Sequence, residues 1–174
     1  FLLYPNRTVV TGSPMFHSAY SCCHCKILTT IIMENFDNKT IIRRYVEEIE
    51  NTGDVSNIRE FIADDYVEVY AGIRYNIGIK GAIDHVLGVR RVFPDLKLTI
   101  ENQISEGDWV ATTYSVKGTF TDEWFGMKPT GKPITFTGVN VDRIKEGKII
   151  EHGGAANLFD PLLKAGVIIK RNEG

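Results

Sequence analysis

Three successive segments of alternating apolar and polar residues, between Phe93 and His152, constrain the fold more than any other feature of the chain. A period of two residues is typical of β-strands that bury one face. Two tight turn sequences, Glu106-Gly107-Asp108 and Lys145-Glu146-Gly147, and a longer loop from Phe120 to Lys132 connect these segments with the strand that ends at His152. The region therefore predicts a curved antiparallel sheet of long strands.

Helical periodicity lies mainly before this sheet. From Asn38 onward, apolar residues recur on one helical face, and Gly53 provides a stop signal. The pattern first predicts a helix bearing Ile41, Ile42, Tyr45, Val46 and Ile49, followed by a short helix bearing Val55, Ile58, Phe61 and Ile62. A strand over 66–70 and an irregular stretch over 71–80 come next. A helix from Gly81 to Phe93, which Pro94 ends, precedes the sheet, and a helix over 158–164 follows it. Helices followed by a long antiparallel sheet indicate an α+β fold, with the helices on one face of the curved sheet.

The length and composition are those of a globular protein with one domain. The chain has 174 residues and a formal net charge of -2, and no basic stripe points to a nucleic-acid partner. No apolar run approaches the roughly 18 residues of a membrane-spanning helix. Cys22, Cys23 and Cys25 are too close together to cross-link a domain, so they indicate a reducing, cytoplasmic compartment or a tail that is irrelevant to the fold.

The first 32 residues differ from the rest, because they lack a sustained apolar period. Met33 directly precedes a helix that Asp37 or Asn38 can cap. We therefore expect residues 1–32 to be a disordered or non-native extension and residues 33–170 to form the domain. A metal site built from Cys22, Cys25 and the nearby histidines is the alternative, but it has no second, spaced pair of ligands, so no metal is predicted.

Short motifs occur in a specific order between residues 38 and 165, and that order is more informative than any single motif. They are Asn51-Thr52-Gly53-Asp54, Phe93-Pro94-Asp95, Gly118-Thr119, Gly126, Pro129-Thr130-Gly131-Lys132, Gly138, Arg143, Gly147-Lys148-Ile149 and Glu151-His152. In this arrangement the chain resembles the SnoaL-like polyketide (ester) cyclase family. The resemblance implies a cone-shaped α+β barrel like that of ketosteroid isomerase, with an internal pocket for a small hydrophobic carbonyl compound. It also implies a homodimer and a reaction without metal or organic cofactor.

The chain departs from the family pattern at positions that face the pocket. The family's catalytic aspartate, which follows a Glu-His-Trp motif, is replaced by Gly154, and the tryptophan by Gly153. Asn140, Phe120, Thr113 and Val69 stand where family members often carry histidine, aspartate or arginine. Because glycine has no side chain, Gly154 cannot transfer a proton.

Three side chains, His152, Asp142 and Glu68, remain as candidates for the catalytic chemistry. His152 is predicted to act as a base near neutral pH, oriented by Asp142 or Asn140, and the alternative is a structural histidine of the sheet. Glu68, on the strand with Tyr66 and Tyr70, is a second candidate if it points into an apolar cone, where its pKa would be raised. On an exposed edge it would have no such role.

A second group of residues is predicted to line the ligand pocket. Its members are Asn140, Tyr114, Trp124, Phe120 and Phe136. Aromatic residues at alternating strand positions also fill ordinary cores, so both interpretations stay open.

Two functional classes follow from these residues. The first is a SnoaL-like enzyme that performs cofactor-independent acid/base chemistry, as a cyclase or as an isomerase, dehydratase or epoxide hydrolase on the same scaffold. The second is a non-catalytic ligand-binding or scaffold module that has lost the catalytic aspartate. The apolar residues on both faces of the segment 134–144 predict a homodimer that buries the outer face of the sheet.

Overall fold

In the computed structural model, which describes residues 37–169, six strands form one sheet and helices cover its buried face. The predicted extension, residues 1–32, lies outside the described residues. The elements are α1 (Asn38–Tyr45), β1 (Ile62–Tyr70), β2 (Ile73–Asn76), α2 (Gly78–Val92), β3 (Lys97–Glu106), β4 (Trp109–Thr119), β5 (Pro133–Lys145), β6 (Lys148–Asn157) and α3 (Phe159–Lys164). A π-helical turn, Val46–Glu50, continues α1, and a 3₁₀ turn, Ile58–Glu60, precedes β1. No helix within residues 37–169 is long and apolar enough to cross a membrane.

The strand order is β2-β1-β6-β5-β4-β3. Strands β3 to β6 form the predicted antiparallel meander, and β2 folds back on β1. The α+β class with a curved sheet is thereby confirmed. One pairing, that of β1 with β6, is parallel, and the sequence analysis makes no prediction for it. These two strands are separated in sequence by β2, α2 and the strands β3 to β5, so no hairpin turn fixes their relative direction.

The core lies between the first helix and the inner face of the sheet. Ile41, Ile42, Val46 and Ile49 are buried, as their helical period predicts. On the sheet, alternate β4 residues are buried and the residues between them face outward. Full burial of one aliphatic side chain contributes about 1.5–3 kcal/mol relative to exposure, so this face stabilises the domain substantially.

Two predicted elements differ in the structure. The residues 55–62 do not form a helix; they contain one 3₁₀ turn, and β1 begins at Ile62. The amide of Ile149 donates to the Phe61 carbonyl at 2.7 Å, so pairing with β6 draws this segment into the sheet. The stretch predicted as irregular, 71–80, contains β2 and the start of α2, which begins at Gly78 instead of Gly81; β2 forms a hairpin with β1, and the turn residues Ala71 and Gly72 both have positive φ. Alanine is uncommon in such a turn, which explains why the pattern does not reveal it.

The two Asn- and Asp-containing motifs fasten elements to one another. The Asn51 side chain donates to the Leu98 carbonyl at 3.0 Å and accepts from the Leu98 amide at 2.7 Å, which ties the end of the π-helical turn to β3. Asp95 accepts hydrogen bonds from the amide and the hydroxyl of Thr119 at 2.6 and 2.7 Å. These motif residues therefore stabilise the fold.

Candidate active site

Glu68, His152 and Asp142 are direct neighbours across β1, β6 and β5. Their side chains point to the inner face of the sheet; Asp142 and Glu68 do so by the alternation of their own strands, and His152 does so because of a bulge in β6. Ile149 pairs with Ile144, whereas Glu151 pairs with Arg143, so one extra residue is inserted between them. The bulge shifts the alternation by one residue and allows both Ile149 and His152 to face inward.

His152 and Asp142 form a close pair. The Nδ1 atom of His152 lies 2.7 Å from Oδ1 of Asp142, and Asp142 is only 3% exposed. Burial alone would lower the pKa of His152, but the Asp142 carboxylate and this hydrogen bond raise the pKa to about 9. At neutral pH the pair is therefore an imidazolium and a carboxylate. His152 is an acid in this state, which changes the sequence-based interpretation of a base near neutral pH.

The pair lines a cavity of about 20 Å³ beneath the first helix and α2. Its lining contains three carboxyl groups, two imidazoles and two phenols: Tyr45, Glu50, Ile62, Tyr66, Glu68, Ala82, His85, Asp142, Ile149 and His152. A volume of this size holds about one water molecule. No cluster of three or more potential ligand side chains within residues 37–169 is arranged to hold a metal ion.

Glu68 is engaged by a histidine from α2. His85 Nδ1 lies 2.7 Å from Oε1 of Glu68. Burial would raise the pKa of Glu68, but the hydrogen bond and charge of His85, assisted by His152, lower it overall. The pKa of Glu68 is therefore lowered, not raised as an apolar surrounding would make it, and the sequence does not show that α2 brings a histidine to this carboxylate.

Glu50 is a cavity residue that the sequence pattern does not single out. It ends the π-helical turn, and burial raises its pKa, an effect that the nearby His152 opposes. The Glu50 carboxylate makes no hydrogen bond or ion pair with any residue of 37–169. A signal exists in the sequence, since Glu50 stands four residues after Val46 and eight after Ile42, in phase with the apolar face.

Two tyrosines supply neutral hydroxyl groups to the same cavity. Burial raises the pKa of Tyr45 and of Tyr66, and the neighbouring carboxylates raise both further. Both phenols therefore stay protonated at physiological pH and can donate hydrogen bonds to an anionic oxygen.

The residues predicted to bind a ligand lie outside this cavity. Phe120 is fully buried and packs on Phe93. The ring of Trp124 contacts the Phe93 ring edge-on, with 5.4 Å between the ring centroids. Tyr114, Phe136 and Asn140 follow one another along the inner face of β4 and β5, away from His152. Their role in ligand binding stays a prediction.

Gly154 lies beside Asn140 in the sheet, at the position where the family carries its aspartate. A Cβ atom at Gly154 would lie 2.6 Å from both the Asn140 Oδ1 atom and the Val139 carbonyl oxygen. The φ angle of Gly154 is not positive, so the constraint is the close approach of the β5 backbone. An aspartate fits here only if that backbone moves.

Comparison with known proteins agrees with this architecture. The family model for SnoaL-like polyketide cyclase matches residues 39–163. AclR of Streptomyces galilaeus, proposed to be a hydroxylase, is similar over 78% of this chain and 89% of its own, with 25% identity and a TM-score of 0.66. IdmH of Streptomyces antibioticus, proposed to be a polyketide cyclase, is similar over 75% of this chain and 99% of its own, with 28% identity and a TM-score of 0.64.

A protein of Jannaschia sp. CCS1, proposed to be a SnoaL-like polyketide cyclase, has 20% identity and a TM-score of 0.67 over 76% of this chain and 93% of its own, which shows likeness of fold alone. No curated protein sequence matches the chain. The family match spans most of the described residues, from the first helix to α3. The chain belongs to the SnoaL-like polyketide cyclase family.

Proposed function

We propose that this protein is a cofactor-independent acid/base enzyme of the cyclase type, which acts on a small hydrophobic carbonyl compound through His152. The observation that carries the proposal is the His152–Asp142 pair at the wall of a cavity that also contains carboxyl groups. The IdmH likeness supports the cyclase type, since that protein is proposed to be a polyketide cyclase.

The charges of the site suit enolate chemistry. A cavity carboxylate removes a proton from the carbon next to a carbonyl, and the C–H electron pair forms the C=C bond of an enolate. The carbonyl π pair moves to oxygen, where the His152 imidazolium and the Tyr45 and Tyr66 hydroxyls stabilise the negative charge. The enolate carbon then attacks a second carbonyl carbon of the same molecule and forms a C–C bond. The second carbonyl oxygen takes the proton from the carboxylic acid, which restores the site.

The size of the cavity limits what it can hold. At about 20 Å³ it accommodates a carbonyl oxygen rather than a whole ring system. The rest of a ligand would extend away from His152. The residues Asn140 and Tyr114, which follow Asp142 along the inner face, are proposed to contact that part.

A non-catalytic binding module is the second candidate. Gly154 in place of the aspartate and the small cavity favour it. The two candidates differ in one measurable property, because only an enzyme of the proposed type accelerates the removal of carbon-bound protons.

Exchange of α-hydrogens for deuterium tests the proposal without the natural substrate. Acetone and cyclohexanone are incubated in D₂O with the wild-type protein, His152→Gln or Asp84→Asn, and exchange is followed by proton NMR. The Asp84→Asn control removes only an exposed pair with Lys80 on α2. We expect exchange with the wild type and the control, and a loss of about 10²–10⁴-fold with His152→Gln. Equal rates with and without wild-type protein would favour the binding module.

A further inference from the structure

We propose that Glu50 is the carboxylate that removes the carbon-bound proton, whereas Glu68 serves as the fixed partner of His85. This inference rests on the proposed function and names its base. The sequence analysis names His152 as the base and Glu68 as a second candidate, and the family aspartate position is occupied by Gly154.

The first argument is the bonding of the three carboxyl groups that line the cavity. Asp142 is held by His152 at 2.7 Å, and Glu68 is held by His85 at the same distance. The Glu50 carboxylate has neither a hydrogen bond nor an ion pair within residues 37–169. A carboxylate without such partners keeps its lone pairs available for a proton from a substrate.

The second argument is the way in which the backbone presents Glu50. The amide of Asn51 donates to the Val46 carbonyl at 2.9 Å, five residues back, which closes a π-helical turn. Turns of this kind are rare and often occur at functional sites. The neighbouring Asn51 side chain holds the turn on β3 through two hydrogen bonds to Leu98. Glu50 is thus carried by a turn that is anchored to β3.

The third argument is the difference between the environments of Glu50 and Glu68. Glu50 is desolvated and faces Tyr45, Tyr66, Glu68, His85, Asp142 and His152 across the cavity. Burial raises its pKa, and the charge of His152 limits the rise, so Glu50 is a stronger base than an ordinary glutamate once it is ionised. Two carboxyl groups whose pKa values move in opposite directions are typical of a site that assigns them different roles.

The proton then follows a closed path. Glu50 takes the α-proton, and the electron pair of the broken C–H bond forms the enolate, whose oxygen is stabilised by the His152 imidazolium. After C–C bond formation, the carboxylic acid of Glu50 gives its proton to the new alkoxide oxygen. No oxidant, reductant or further reactant is required.

The test compares Glu50→Gln, Glu68→Gln and Glu47→Gln in the ketone exchange assay, with folding checked by circular dichroism. Glu47 lies on the same π-helical turn but is exposed, so Glu47→Gln is the matched control. We expect Glu50→Gln to lose about 10²–10⁴-fold of the exchange rate and Glu47→Gln to keep it. The loss in Glu68→Gln should be at least about tenfold smaller than in Glu50→Gln.

A second readout does not depend on activity. Carbon-13 NMR of the glutamate side-chain carboxyls, assigned in the wild type through couplings to the backbone resonances, gives the titration midpoint of Glu50. A midpoint above the ordinary glutamate value supports the inference, and a midpoint at or below that value overturns it, even if a variant fails to fold.

Exchange that survives in Glu50→Gln but is lost in Glu68→Gln also overturns it and leaves the proposed function standing. Absence of exchange in the wild type counts instead against the proposed function.

Discussion

The substitution Asp142→Asn isolates the charge of the buried pair, because it keeps the shape and the hydrogen-bonding capacity of the side chain. In the folded wild type, Asp142 keeps His152 protonated. Burial lowers the pKa of His152, and in the variant no Asp142 charge opposes this effect, so His152 should become neutral at pH 7. The variant therefore removes an ion pair rather than a packing contact.

The structure sets the scale of the effect. The pKa of His152 is raised from an ordinary value of about 6.5 to about 9. Since each tenfold change in a protonation equilibrium corresponds to about 1.36 kcal/mol, this rise corresponds to about 3 kcal/mol in the free energy of unfolding. Because the pKa is raised in the folded state, this stabilisation is fully present below about pH 6.5 and is lost as the pH rises through about 9.

Urea denaturation of the wild type and Asp142→Asn at pH 6 and pH 10 measures this contribution. We expect the difference in unfolding free energy between the two proteins to shrink by about 3 kcal/mol between these pH values. The matched control is Asp64→Asn, which breaks an exposed pair with Arg59 and should change stability by about 0–1 kcal/mol at both pH values. If the difference in unfolding free energy between the wild type and Asp142→Asn is the same at pH 6 and pH 10, the assignment of an imidazolium to His152 is refuted.

Three further predictions concern the sheet and the π-helical turn. Gly154→Asp should lower the melting temperature and leave the α-hydrogen exchange rate no higher, because its Cβ atom would contact the Val139 carbonyl oxygen; increased exchange in a folded variant would contradict this. Asn51→Ala should cost about 1–3 kcal/mol in urea denaturation and slow exchange, since it leaves both Leu98 backbone groups without this partner; an unchanged free energy would count against the clamp. The wild type should sediment as a homodimer and Val141→Lys as a monomer, because Val141 is exposed on the outer face near Trp109; a monomeric wild type would overturn this prediction.

The fold is largely predictable because its strongest signals are local. The alternation along β4 and β5 fixes which residues face inward, and the turns at Gly107 and Gly147 fix the strand register. The same alternation places Asp142 on the inner face, where its partner His152 is found. These features need no knowledge of distant contacts.

The site is less predictable because it depends on irregular backbone and on contacts between distant elements. The bulge that turns His152 inward adds one residue to β6, and no turn or glycine marks it. The π-helical turn that ends at Glu50 interrupts a sequence with ordinary helical periodicity. The link between Glu68 and His85 depends on the packing of α2 against β1, which alternation within one strand does not reveal.

NMR titration of the His152 imidazole between pH 5 and pH 10 tests the central claim most directly, namely that a protonated histidine held by Asp142 faces the cavity. The chain has four histidines, and His152→Gln identifies the signal that belongs to this residue. The account predicts a titration midpoint near 9 in the wild type, which moves to a lower pH in Asp142→Asn. A wild-type midpoint at or below the ordinary histidine value of about 6.5 would contradict it.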